Sequence, residues 1–244
     1  MHVCIAYDCL FPWTVGGAER WYRALAERLV AEGHEVTYLT RVQWEPGEEP
    51  SIPGVRVVAV SRADPLYDAQ GRRRIGPPLR FGAGVLRHLA RHRGAYDAVH
   101  LCSFPFFSLL AARAALAGTR VPLAVDWFEV WSRGYWDEYL GRAGGLVGHA
   151  VQRLCVLLTP RAFVFSALHE RRLRDEGLRG PVVRLRGLWG GDPADIPPAR
   201  PAAEPPTVVF AGRHIPEKRV TAIPAAIALL PGHRARILRM ERAG

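Results

Sequence analysis

Short, almost wholly apolar runs alternate along this chain with longer segments whose apolar positions recur at helical spacing. Val3–Tyr7 opens the series as a buried strand. Ala18–Ala31 follows as a helix, with Trp21, Leu25, Leu29 and Val30 spaced for one apolar face. Gly33-His34 ends that helix, and Glu35–Thr40 and Val55–Val60 read as the next two strands. Residues 61–78, with Arg72-Arg73-Arg74 and Pro77-Pro78, read as an exposed irregular loop. Leu79–Arg93 is a basic helix, Ala98–Cys102 a strand, Pro105–Ala117 a helix and Pro122–Asp126 a strand. An aromatic block from Trp127 to Tyr139 precedes a helix over Gly145–Leu158. Ala162–Phe165 and Val182–Leu185 are strands around a helix at Leu168–Glu176.

This rhythm predicts an α/β fold, a doubly wound and mainly parallel Rossmann-like sheet. Strands that are apolar along their whole length agree, because such a sheet is covered on both faces. The rhythm breaks at 189–206, where Gly190-Gly191-Asp192-Pro193, Pro197-Pro198, Pro201 and Pro205-Pro206 form a stiff linker. Three parts are expected: a first domain over 1–188, a Pro-rich linker over 189–206, and the start of a second domain over 207–244. The last part reads as a strand at Thr207–Ala211, a helix at Arg219–Leu230 and a weakly patterned tail. That is too little to bury a core.

Composition adjusts this picture only slightly. Hydrophobic content of 49% and charged content of 23% are those of an ordinary globular protein. The four cysteines, Cys4, Cys9, Cys102 and Cys155, lack zinc-finger or redox spacing. Cys4 and Cys102 fall inside apolar strands as small buried hydrophobes, which fits a reducing, cytoplasmic compartment. No signal-peptide pattern opens the chain. The apolar stretch from Leu146 to Leu158 carries His149, Gln152 and Arg153, so it does not read as a membrane span. A net charge of +10 favours anionic partners. A broad solvated arginine surface explains most of that charge equally well.

Four places carry candidate chemistry. Gly16-Gly17 lies in the turn between the first strand and the first helix, where ligands of open α/β sheets bind. Glycines there let backbone approach an anion at a helix N-terminus; a plain turn is the alternative. His100 ends the sequence Asp97-Ala98-Val99-His100 and is either a hydrogen-bond donor to the cleft or a satisfied structural histidine. Asp126 and Glu129 stand among Trp127, Phe128 and Trp131 at a strand's carboxyl end. There they serve as general bases or bind hydroxyls, unless the aromatics merely pack under the next loop. Finally, Gly212-Arg213-His214-Ile215-Pro216-Glu217-Lys218 follows a strand and holds the one lysine among 33 Lys plus Arg. A planar guanidinium and a mobile ammonium together suit a diphosphate. A surviving surface lysine is the plain alternative.

In order, these pieces read as strand, Gly-Gly-x-Glu turn, helix ending in Leu-x-x-x-Gly-His-x-Val-Thr (Leu29 to Thr37), Asp-x-x-His, and an acidic-aromatic strand end. Gly-x-Asp (Gly190 to Asp192) and Gly-Arg-x-x-x-Glu-Lys complete them. The order resembles the family 4 retaining glycosyltransferases of the two-domain GT-B type, from Met1 to about Leu230. The resemblance implies an acceptor-side first domain and a second domain that binds a nucleotide-sugar donor. Arg213 and Lys218 would then hold the donor diphosphate, with Gly16 and Gly17 against the donor phosphate or the acceptor. Asp126, Glu129 and His100 would form the catalytic set. The nucleotide-sugar is a co-substrate; neither cofactor nor metal is implied.

Two departures stand out. Phe128 occupies the place where the family often carries a histidine, so any hydroxyl contact there moves to Asp126 or Glu129. The family's later Glu-x7-Glu element has no counterpart after Lys218, so the donor domain reads as truncated and the chain alone as inactive or nearly so. The expected acceptor is a sugar or a lipid-linked acceptor. The alternative is a non-catalytic acceptor-domain fragment that binds a partner chain or an anionic surface. Arg80, Arg87, Arg91 and Arg93 of the basic helix suit peripheral contact at the inner face of a membrane. Aromatics are not interleaved with them, which argues against specific nucleic-acid binding.

Overall fold

A computed structural model describes residues 1–66, 74–186, 205–212, 214 and 218–239. The chain divides into two compact units, residues 1–189 and 190–244. Residues 189–204 of the Pro-rich linker, with the Gly190–Asp192 motif, and Arg72 and Arg73 lie outside the described residues.

Among its described residues the first unit holds seven strands and five helices: β1 (His2–Ala6), α1 (Gly17–Ala31), β2 (Glu35–Arg41), β3 (Val55–Ser61), α2 (Gly76–His92), β4 (Ala98–Cys102), α3 (Phe106–Ala115), β5 (Leu123–Trp127), α4 (Arg133–Leu158), β6 (Ala162–Val164), α5 (Ala167–Asp175) and β7 (Val182–Arg184). All neighbouring strands are parallel, in the order β3-β2-β1-β4-β5-β6-β7. The order reverses between β1 and β4, the switch point at which open α/β sheets bind ligands. The doubly wound parallel sheet expected from the apolar runs is therefore present.

Period-two alternation sorts each strand's side chains between the faces. Val99, Leu101, Val125 and Trp127 pack with α2, α3 and α4 in one core. Val3, Ile5, Val36 and Tyr38 pack with Tyr22 and Ala26 of α1 in the other. On α1 the buried residues are Tyr22 and Ala26. Trp21, Leu25, Leu29 and Val30, the expected face, flank that line half-buried. Helix α2 sits so close to β3 that a Cβ at Gly84 would meet the Val60 carbonyl. All four cysteines are buried.

Three expectations need correction. Helix α2 begins at Gly76, not Leu79, because Pro77 and Pro78 occupy its first turn, where a missing N–H costs nothing. The aromatic block is helical from Arg133, capped by the Ser132 hydroxyl accepting from the Tyr135 N–H at 3.2 Å. Gly141, at φ 73°, then kinks α4 before its second half.

The second unit contains β8 (Thr207–Gly212), α6 (Ala222–Ala228) and β9 (Arg234–Arg239) among its described residues. The tail that looked patternless is β9, paired parallel to β8 from Thr207 opposite Arg234 to Gly212 opposite Arg239. Its helix is shorter than the expected Arg219–Leu230. Val209 and Leu229 are 57% and 81% exposed, so this strand–helix–strand unit has apolar side chains without a core over them.

Candidate functional site at the carboxyl ends of the strands

Asp126 is the penultimate residue of β5 and is fully buried. It faces away from Trp127, toward the α1 side of the sheet. One carboxylate oxygen, Oδ2, accepts from the Trp21 indole N–H at 3.0 Å. The other, Oδ1, stands 2.9 Å from His100 Nε2. Register explains the meeting: β4 and β5 pair Cys102 with Asp126 and His100 with Ala124, so His100 is diagonal to Asp126 on the same face.

Aromatic rings frame this trio. Trp21 meets Phe165 edge-on at 4.9 Å, and Phe165 stacks on Phe128 at 4.8 Å. His100 stacks on Phe163 at 5.5 Å. Tyr22 is fully buried beside them, and burial pushes its phenol well above its ordinary range, with the Asp126 charge adding to the shift. The arrangement holds one imidazole ring against a buried carboxylate, with 16% of the His100 side chain open to solvent. The two groups lie within ion-pair distance, and neither facing atom has a hydrogen-bond partner among the described residues.

Glu129 lies apart from that pair. It is exposed just beyond β5 and accepts from the Trp131 indole N–H at 2.7 Å. Its charge acts on His169 of α5, whose imidazole is held below the ordinary range by burial first and by Arg172 second. Arg172 in turn donates to the Val130 carbonyl at 2.8 Å, tying α5 to the segment after β5. Glu129, His169 and Arg172 thus form a second polar group at the strand ends.

Gly16 and Gly17 open α1 at the β1 end of the switch point. Gly16 is the N-cap and offers no side-chain cap, and a Cβ on Gly17 would meet open space. The Glu19 carboxylate lies against Gly16 at this helix start, so an arriving anion would have to displace it. Lys218 lies exposed in the turn before α6, in the second unit. Arg213 lies outside the described residues.

The structure thus brings His100 and Asp126 together and leaves Glu129 separate. Trp21, Tyr22 and His169 are site residues that the sequence did not mark. Trp21 looked like one more apolar helix position, and nothing in its spacing signals an indole aimed at a carboxylate 105 residues away.

The family model described as Glycosyltransferase Family 4 matches residues 15–186. The chain belongs to glycosyltransferase family 4. Solved structures agree on the fold. A sucrose-phosphate synthase from Thermosynechococcus elongatus superposes with a TM-score of 0.68 at 16% identity, over 97% of this chain and 61% of that one. The lipopolysaccharide outer core galactosyltransferase WaaB, in its apo form, gives a TM-score of 0.59 at 13% identity, over 97% and 60%. The glycotransferase of kitacinnamycin gives 0.50 at 15% identity, over 100% and 66%. At such identities the likeness shows the Rossmann-like GT-B architecture. This family 4 chain spans about three fifths of the length of the first two structures. A search of curated proteins found no match.

Among the described residues, no group of three or more His, Cys, Asp and Glu could hold a metal ion. No described helix is long and apolar enough to cross a membrane.

Proposed function

We propose that this family 4 chain supplies the acceptor-side domain of an enzyme that moves a sugar from a nucleotide-sugar to an acceptor, with retention at the anomeric carbon. The observation that carries this reading is the His100–Asp126–Trp21 constellation at the strand ends. In this scheme the buried Asp126 fixes the His100 ring, and Glu129, exposed at the rim, contacts an acceptor hydroxyl. Once the Glu19 carboxylate is displaced, the Gly16-Gly17 turn admits a phosphate or the acceptor against the first N–H groups of α1.

Arg213 and Lys218 are assigned to the donor diphosphate, where their charge stabilises the departing nucleotide. Neutralisation by protein cations needs no divalent ion. Cytoplasmic chemistry on a sugar or lipid-linked acceptor completes the proposal.

A panel of nucleotide-sugars, offered with candidate acceptors to the protein isolated from its own cells, tests the reading. Proton NMR of the product reports the anomeric configuration directly. Retention is the expected result, and inversion would overturn that part of the proposal. The second reading, an acceptor domain completed by a partner chain, is favoured by the uncovered apolar residues of the second unit. It would show as activity only after a co-purifying chain is restored.

A further inference from the structure

Helices α2, α3 and α4 lie side by side over one face of the sheet. Their outer surface has an unusual charge pattern. Neither α2 nor α3 contains Asp or Glu, and the chain from residue 139 to residue 169 contains none, although 23 acidic residues occur overall. Helix α4 has Asp137 and Glu138 in its first half, so α2, α3 and the second half of α4 hold no acids of their own, while Asp64 meets Arg80 and Glu176 meets His149 at their edges.

The second half of α4 shows what this surface carries. Gln152, Cys155 and Val156 point into the core. On the opposite side, Ala143, Leu146, Val147, Ala150, Leu154 and Leu157 recur at spacings of three and four, forming one stripe. Leu146 is 57% exposed, Val147 63%, Leu154 46% and Leu157 54%. At 1.5 Å per residue the stripe runs roughly 21 Å along the surface. Arg142 and Arg153, eleven residues apart and so on one side of the helix, run beside it, both exposed. On α2, Leu79 and Leu86 are exposed at 48% and 41%, with Arg87 and Arg91 exposed on the same helix.

We propose that this helical layer docks on an anionic lipid bilayer, with α4 lying in the interface plane as the inserted element. A helix that presents leucines outward beside arginines matches an interfacial anchor better than a solvated surface. The absence of acids from α2, α3 and the second half of α4 selects a negatively charged surface over a neutral one. The contact extends the basic helix noticed in the sequence to a second helix whose contribution is apolar. It stands independently of the transfer reaction, because it involves neither the Asp126 cluster nor any nucleotide.

Flotation of the full 244-residue chain with phosphatidylcholine vesicles, with and without phosphatidylglycerol, tests it. Binding is expected with phosphatidylglycerol and not without it. Val147→Gln/Leu154→Gln leaves the net charge unchanged, so it separates insertion from simple attraction. It should lower partitioning about 100-fold or more, the scale of losing two buried aliphatic side chains. Leu146→Gln/Leu157→Gln should act alike, and unaltered circular dichroism would show that both pairs stay folded. Arg87→Ser/Arg91→Ser should weaken binding most at low salt. Equal flotation of wild type and both glutamine pairs would overturn the proposal. So would binding to neutral vesicles as tight as to anionic ones. No flotation, together with a dimer in light scattering that the glutamine pairs dissolve, would also overturn it by assigning the stripe to a second copy.

Discussion

The indole N–H of Trp21 donates to a buried oxygen of Asp126 at 3.0 Å, joining the first helix to the fifth strand. Its partner is a carboxylate with no exposure to water, so the bond has no solvent substitute. Trp21→Phe keeps a ring against Phe165 but leaves Oδ2 without its donor. The expected cost is about 1–3 kcal/mol, the penalty for an unmet buried polar group. Urea unfolding of the two proteins measures it, and an unchanged midpoint would mean that water reaches Asp126.

Gly84 provides a packing test on the other face. A helix-interior Gly→Ala change normally stabilises by up to about 1 kcal/mol. Here the new methyl would press on the Val60 carbonyl, which is backbone and cannot swing aside. Gly84→Ala is expected to destabilise by about 1–3 kcal/mol instead. A raised melting temperature would show that α2 stands further from β3.

His88 supplies a pH prediction. Burial, then the neighbouring charges of His92 and Arg56, lower its pKa from 6.5 to about 4, and its ring Nε2 lies 2.6 Å from the Tyr96 hydroxyl. The folded state keeps the ring neutral while the unfolded chain protonates it. Stability tied to this group is therefore full above about pH 6.5 and is lost as pH falls toward 4. The ring is only partly buried, so screening reduces the effect to roughly 1 kcal/mol. Subtracting the pH dependence of a His88→Gln variant from that of wild type should isolate this slope. Parallel curves would contradict it.

Lys218 tests the donor side. In the active enzyme, Lys218→Ala is expected to remove about 2–4 kcal/mol of transition-state stabilisation, the scale of one lost electrostatic donor. Stopped or continuous assays of kcat/KM report it. Little change would return Lys218 to the role of an ordinary surface lysine.

Elements with a strong apolar signature were legible in the sequence. Ala98–Cys102 is expected and found at the same bounds, because a strand covered on both faces is mostly apolar, and His100 is its one polar position. The helix from Arg133 is hidden by Gly134, Gly141 and the six closely set aromatics from Trp127 to Tyr139, which blur a 3.6-residue period. Strand β9 was hidden for the opposite reason. Its Arg234, Arg236 and Arg239 face solvent on a small unit with no core, so no apolar run announces it.

The site was legible only residue by residue. Asp126, Glu129 and His100 stood out by type and place, but which of them meet depends on strand register. His100 reaches Asp126 because β4 and β5 pair with Cys102 opposite Asp126, a fact no local pattern encodes. Glu129, three residues after Asp126, has left the strand and joins α5 instead. Trp21 and Tyr22 are invisible for a similar reason: both read as apolar helix positions until the sheet is placed beneath them.

The most direct test of the central claim is a product-resolved assay of sugar transfer from a nucleotide-sugar panel, using the protein as its own cells make it. Wild type is to be compared with Asp126→Asn and Glu129→Gln. Transfer with retained configuration, reduced by about 100-fold or more in Asp126→Asn, is the result expected when a buried carboxylate positions the reacting imidazole. Consumption of no nucleotide-sugar across the panel, or equal turnover by wild type and both variants, would contradict it.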